Sequence, residues 1–414
     1  MFSGINFEDI YIDSAWAAKQ PERYSDAVKV FESKFGNEGG IEVYSAPGRT
    51  EVGGNHTDHQ HGEVLAASIN RDAIAVVRRS SSPAVRIVSG TYPMFTVKLD
   101  DLALKENEKG KASALIRGVL SYLSSHGFKI GGFDAYVTSD VLIGAGLSSS
   151  AAFEVLIGTV ISGLYNDMKI DAVTIAKAGQ YAENDYFGKP CGLMDQMACS
   201  VGNMVRIDFK FPDNPEVERV DFDFARTGYS LCITDTKGSH SDLTSEYAAV
   251  PSEMRKVASI LGHDTLRPVT LEDVLNNITA LREQAGDRAV LRAIHFIEET
   301  KRAGLEARAL QQGDLFEFLK LVRKSGDSSF KYLQNVYTNS DVSHQNVSIA
   351  LAVSDSILGN DEVARVHGGG FAGTIQAFVH NENAEHYRDV MDSIFGEGSC
   401  QLLKIRKYGG IRVI

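Results

Sequence analysis

VLIGAGLSSSAA, residues 141–152, decides how this chain is read. Gly144 and Gly146 allow positive φ and let a ligand approach the backbone closely. Ser148, Ser149 and Ser150 bring hydroxyl and backbone N–H donors just before an apolar run, 151–165, that reads as a buried helix. A helix start carries partial positive charge and unpaired N–H groups, which together suit a phosphate chain. No Gly-Lys-Ser/Thr follows, and Ser149 stands where a dinucleotide fingerprint needs its third glycine, so neither of those phosphate motifs applies. The plain structural alternative is a serine N-cap after a tight turn.

Upstream of this loop, residues 133–141 alternate like a strand, and 112–125 has apolar residues at helical spacing with Gly127 as a stop. Earlier still, a helix is expected over 26–35 and an extended stretch over 41–45 that ends at Pro47-Gly48. A turn-rich, histidine-rich segment spans 53–62, and a strand-like run spans 64–78. Downstream, 173–185 reads as a helix closed by Gly188-Lys189-Pro190, and the chain becomes turn-rich at 213–215. A strand over 230–234, amphipathic helices between 252 and 358, and a strand–turn–strand unit over 367–379 complete the pattern. Helices and strands mix without a strict βαβ alternation, so an α+β class is expected, with one domain over 1–223 and a second over 224–414.

With 54 acidic against 42 basic residues and a net charge of −12, the chain lacks the basic field that a nucleic-acid or membrane surface needs. Any phosphate site must therefore neutralise its ligand locally. The four cysteines form no CxxC pair, which points away from zinc knuckles and disulfide frameworks. The start, MFSGINFEDIYID, has no basic segment followed by an apolar core, so a cytoplasmic location is expected.

Five segments carry a resemblance. VLIGAGLSSSAA resembles the second signature of the GHMP kinases, PGRTEVGGNHTD (47–58) the first signature of their galactokinase branch, and VHGGGFAG (366–373) the third. CGLMDQ (191–196) and SEY (245–247) are galactokinase-like as well. The resemblance implies a two-domain α+β fold with the active site in the cleft between the domains, and ATP-dependent phosphorylation of the anomeric hydroxyl of galactose. It also implies a small-molecule sugar as the partner and a monomer, as is common among relatives.

Carried onto this sequence, the resemblance makes Asp195 the base at the anomeric hydroxyl and Arg49 the cation that keeps Asp195 ionised and offsets charge on the transferred phosphoryl group. Asn55, His56, Asp58, Gly192 and Tyr247 become sugar contacts. Gly144, Ala145, Gly146, Leu147, Ser148, Ser149 and Ser150 become the ATP loop, and Ser150 with Glu183 become the magnesium ligands. Read alone, Asp195 is a helix-capping acid, Glu183 a solvent-facing helix residue and Tyr247 a core tyrosine. The run His56-Thr57-Asp58-His59-Gln60-His61 invites a metal reading, but its spacing matches no zinc motif. GGGFAG at 368–373 fits GxGxxG literally, yet a strand rather than a helix is expected after it, so the dinucleotide reading fails its own context.

Three positions depart from the family text: Asn55 replaces a glutamate that binds the sugar's exocyclic hydroxyl, His59 a tyrosine and Ala66 a proline. They open the alternatives of galacturonate, L-arabinose or N-acetylgalactosamine as the acceptor. A non-catalytic galactose sensor is the alternative of another class, disfavoured because Ala151 and Ala152 follow the serines and Arg49, Glu183 and Asp195 are all present.

Overall fold

A computed structural model describes every residue except Met1, Ser3, 143–145 and 239–242. The first sheet is built on a long antiparallel pair, β1 (Glu42–Gly53) and β2 (Glu63–Arg79). Strands β3 (Ala84–Ser89), β4 (Phe95–Lys98) and β5 (Phe133–Ser139) extend it beyond β2. β6 (Met204–Asp208) pairs the other end of β2, and β7 (Glu216–Val220) pairs β6. All pairings in this sheet are antiparallel except β3 with β5.

The second sheet is wholly antiparallel, in the order β11 (Cys400–Leu403), β8 (Tyr229–Asp235), β10 (Thr374–His380), β9 (Val363–His367). The chain then returns: Ile405 bridges Ile69, and β12 (Ile411–Arg412) pairs β1 on the first sheet. Residues 405–414 therefore sit with the N-terminal half, a correction to the expectation that 224–414 form one unit. A charge cluster accounts for the return. Asp72, on β2, is 0 % exposed and accepts from Arg23 (2.7 Å), Arg406 (3.0 Å), Tyr11 (2.8 Å) and the Ser45 hydroxyl. A buried carboxylate needs such partners, and here they come from both ends of the chain.

Helix Ser149–Asn166 lies against β1 and β2. Val155, Leu156, Val160 and Ile161 are fully buried, and apolar residues run almost all round it, as expected of a helix enclosed in a core. Each such side chain contributes about 1.5–3 kcal/mol. Helix Asp287–Gln311, from the second half, packs on β2 and joins the two halves.

The helices Ala112–Ser125 and Ala172–Tyr181 lie where the apolar periodicity places them, the latter continuing as a wider turn over Ala182–Phe187. The expected stop at Pro47-Gly48 does not occur. β1 runs through it with register shifts at Pro47/Arg49 and Glu51/Gly53, because a proline can sit in a strand at a bulge, where no N–H is required of it.

Candidate active site

The bulge in β1 sets the site. A Cβ on Gly48 would stand 2.8 Å from the Leu147 carbonyl oxygen, so only glycine allows this strand to touch the serine loop. The Arg49 N–H donates to that same carbonyl at 3.0 Å, locking strand to loop. Gly144 and Ala145 lie outside the described residues; Gly146, Leu147, Ser148, Ser149 and Ser150 lead into the helix Ser149–Asn166. Ser148 occupies the N-cap position with φ +55° but does not cap with its side chain.

Its hydroxyl instead donates to Asp195 Oδ2 at 2.6 Å. Asp195 sits in the first turn of helix Met194–Val201, and Arg49 grips both of its oxygens, Nε to Oδ1 at 2.7 Å and Nη2 to Oδ2 at 2.8 Å. The third guanidinium nitrogen donates to the Gly146 carbonyl. Burial alone would push Asp195 up; Arg49 and the Ser148 hydroxyl outweigh it and hold the carboxyl below the usual range. The side chain of Asp195 remains 28 % exposed, so the charge is both fixed and reachable.

Two residues after Ser148, the Ser150 hydroxyl meets Glu183 Oε1 at 3.2 Å. Lys189 Nζ takes the same oxygen at 3.0 Å. Gln196 donates to Glu183 Oε2 at 2.9 Å and to Glu154 Oε2 at 3.0 Å. A hydroxyl and a carboxylate converging at a helix start fit magnesium, a hard cation that takes oxygen ligands and completes its shell with waters and phosphates. Lys189, with a largely exposed side chain, sets a positive charge against that oxygen.

Asp58 and Gly192 come together across the front of the site: a Cβ on Gly192 would stand 2.7 Å from Asp58 Oδ2. A cavity of about 490 Å3 opens beside them, walled by His59, His61, Cys191 and Arg255. His56 contacts the Gly369 carbonyl through Nε2 at 2.9 Å, and the Tyr247 hydroxyl donates to the Gly370 carbonyl at 2.7 Å. The glycine turn thus ties together His56 of the first half and Tyr247 of the second, two of the expected sugar contacts. Among the described residues no three His, Cys, Asp or Glu side chains gather into a metal cage.

Asn55 is the expected contact that the structure does not bring to the cleft surface. It is 0 % exposed, its amide donates to Glu51 Oε1 and the Gly368 carbonyl, and its oxygen accepts from Asn335 and Ser329. A side chain with every hydrogen-bonding position used inside the protein has none to offer a sugar.

Sequence reading missed Lys189, Gln196, Glu154 and His367. Gln196 follows Asp195 directly, and Glu154 lies four residues after Ser150, the spacing that stacks side chains on one helix face, so both were within reach. His367 lies within VHGGGFAG, but the glycines of that segment, not the histidine, carry its reading. It is buried between Thr50 (Nε2 to Oγ1, 3.1 Å) and Thr374 (Nδ1 to Oγ1, 2.8 Å), and burial, with Arg49 and Arg365 nearby, keeps it well below its usual pKa.

Comparison with known proteins bears on this geometry. Residues 29–79 match the galactokinase galactose-binding signature, and residues 114–203 the N-terminal domain of GHMP kinases. The chain is 30 % identical to the galactokinase of Limosilactobacillus fermentum over 86 % of its own length and 90 % of the relative's. It is 30 % identical to a galactokinase of Actinobacillus pleuropneumoniae over 84 % and 87 %. Its fold is that of Lactococcus lactis galactokinase complexed with galactose (TM-score 0.79, 24 % identity, 94 % and 100 % covered). Methanococcus jannaschii mevalonate kinase is similar at a TM-score of 0.63, with 15 % identity over 89 % and 99 %. A serine loop locked to an Arg49–Asp195 pair, on a GHMP kinase fold and with this extent of identity, places the chain in the galactokinase family.

Proposed function

We propose that this protein transfers the γ-phosphoryl group of ATP to the anomeric hydroxyl of galactose, giving galactose 1-phosphate and ADP. The observation that carries the reading is Asp195, ionised, gripped by Arg49 and the loop serine Ser148, and open on its remaining side. Phosphoryl transfer asks mainly for positioning and charge neutralisation, and the site supplies both.

The phosphates lie along Gly146–Ser150 at the helix start, where the N–H groups of a first turn have no partner within the helix. Asp195 accepts the proton of the anomeric hydroxyl, aiming its oxygen at the phosphoryl group; general-base assistance of this kind contributes about 10²–10⁴-fold. Arg49 answers the negative charge that develops between nucleophile and phosphate. Ser150 and Glu183 would hold magnesium, which when bound neutralises charge on the phosphates. Asp58, Gly192, His56 and Tyr247 hold the sugar, with Asp58 accepting from ring hydroxyls. Buried acceptors of this kind reject an analogue that lacks the hydroxyl.

A coupled ADP-release assay over galactose, galacturonate, N-acetylgalactosamine and L-arabinose tests the substrate, with galactose expected to give the highest kcat/KM. A higher value for galacturonate would displace it. Replacing Glu183 with Gln is expected to raise the magnesium requirement; an unchanged metal titration would remove Glu183 from that role. All four cysteines are free, and no helix among the described residues is long and apolar enough to cross a membrane.

A further inference from the structure

The loop between β1 and β2 carries His56 and Asp58, yet the second half of the chain holds it in place. The Asn55 carbonyl meets His295 Nε2 at 2.9 Å, and His295 Nδ1 meets the Ser328 hydroxyl at 2.8 Å. A carbonyl can only accept, so Nε2 carries the proton and Nδ1 accepts from Ser328. Burial holds the ring down to about 4, which leaves it neutral and in this one tautomer at ordinary pH.

Four residues further along the same helix, the fully buried Glu299 carboxylate accepts from the Gly54 N–H at 3.3 Å and the Asn55 N–H at 3.4 Å. Arg302 and the Ser325 hydroxyl complete its shell. The Asn55 amide donates to Glu51 Oε1 at 3.0 Å and the Gly368 carbonyl at 2.7 Å, while its oxygen accepts from Asn335 at 2.9 Å and Ser329 at 3.2 Å. Glu51 is paired in turn with Arg365 at 2.6 Å. A glutamate at position 55 would set a second buried carboxylate against the Glu51 oxygen and the Gly368 carbonyl, with no proton to give either. The asparagine therefore belongs to this node, and its departure from the family text is a matter of loop anchoring.

We infer that Asn55, His295 and Glu299 are positioning residues that seat the sugar-facing loop, so that the second half of the chain sets where His56 and Asp58 stand. The inference rests on the sugar-kinase reading above. Each residue acts through the backbone of 54–55, directly before His56, whose φ of +59° is a left-handed conformation that a non-glycine residue adopts only when its surroundings hold it there.

The experiment compares wild type with His295→Leu, His295→Gln and the milder Ser328→Ala, measuring KM for galactose and for ATP, kcat, galactose binding by calorimetry, and Tm. His295→Leu is expected to raise galactose KM and Kd about tenfold or more, the effect of an unmet buried carbonyl, with ATP KM and kcat changed by less than about threefold. His295→Gln, whose amide can donate to the Asn55 carbonyl in place of Nε2, is expected to recover most of the loss. Ser328→Ala, which frees the ring but keeps the donor, should fall between.

Equal rises in both KM values overturn the inference. So does an unchanged galactose KM in folded Ser328→Ala together with a lowered Tm, which would mean the node only holds the fold. A wild-type protein that neither binds nor phosphorylates a sugar is a different result, and it overturns the kinase reading and the inference together.

Discussion

Asp72 and Asp195 are both aspartates gripped by arginine, one buried and one part-exposed, and both are held below the usual carboxylate range because arginine outweighs the effect of burial. Asp72 is enclosed by Arg23, Arg406, Tyr11 and Ser45 and is 0 % exposed. Asp195 has Arg49 and Ser148 and keeps 28 % of its side chain open. Identical pair chemistry thus does two jobs. Completed on all sides it fastens the chain ends to β2; left open on one side, it holds a charge that stays within reach of solvent.

The strongest way to break this contrast is at Asp195. Asp195→Asn is expected to lower kcat by about 10²–10⁴-fold with Tm within a few degrees of wild type, checked by coupled ADP release and thermal unfolding. Near-normal kcat would remove it as the base.

Asp72→Asn should do the reverse. Denaturant unfolding is expected to show a loss of about 3–5 kcal/mol, since the fully buried Arg406 loses its counter-charge while Arg23 keeps Asp140 at 3.1 Å, and kcat of the folded fraction stays within about threefold. Asp72 has a depressed folded-state pKa. Its stabilisation is therefore full above the unfolded value of about 3.9 and is lost as pH falls through the folded value, so the variant should have a flatter acid unfolding profile than wild type.

Ser148→Ala removes a charge-assisted donor from Asp195, and a loss of about tenfold in kcat/KM is expected. Its pH profile sharpens the point. The hydroxyl favours the ionised form, so without it the Asp195 pKa rises and the acid limb of kcat/KM moves to higher pH. An acid limb that stays in place would mean Ser148 serves the phosphates alone. The smallest effect is expected from Arg406→Lys, whose ammonium can still donate to Asp72 and Ser45 but has no second nitrogen for the Gly409 carbonyl, which Arg406 Nη2 reaches. About 1–2 kcal/mol of stability should go, with unchanged kinetics.

Much of the candidate site was legible because its residues sit in short runs with chemical character. GAGLSSS announces an anion loop, and Asp195 and Arg49 stand inside segments specific enough to carry roles. Asn55 misled for a physical reason. Nothing in NHTD shows which way the amide faces, and its partners Asn335, Ser329 and Gly368 lie about 270 or more residues away. Ser148 was read as a phosphate ligand or a cap; only the fold brings Asp195, 47 residues on, to within 2.6 Å of its hydroxyl. The tail beyond Leu403 gave no hint of its return, since its tie is Arg406 to an aspartate on β2.

By itself the sequence determined several of the longer helices and strands, a loop suited to an anion and the family, because apolar periodicity, glycine freedom and helix-start charge are local properties of the chain. The tertiary structure decided which buried charge is closed and which is open, that the last ten residues complete the first sheet, and that Asn55 faces inward. Those depend on desolvation and on hydrogen-bond partners far apart along the chain, and a carboxylate or an amide acquires its role only when the groups around it are in place.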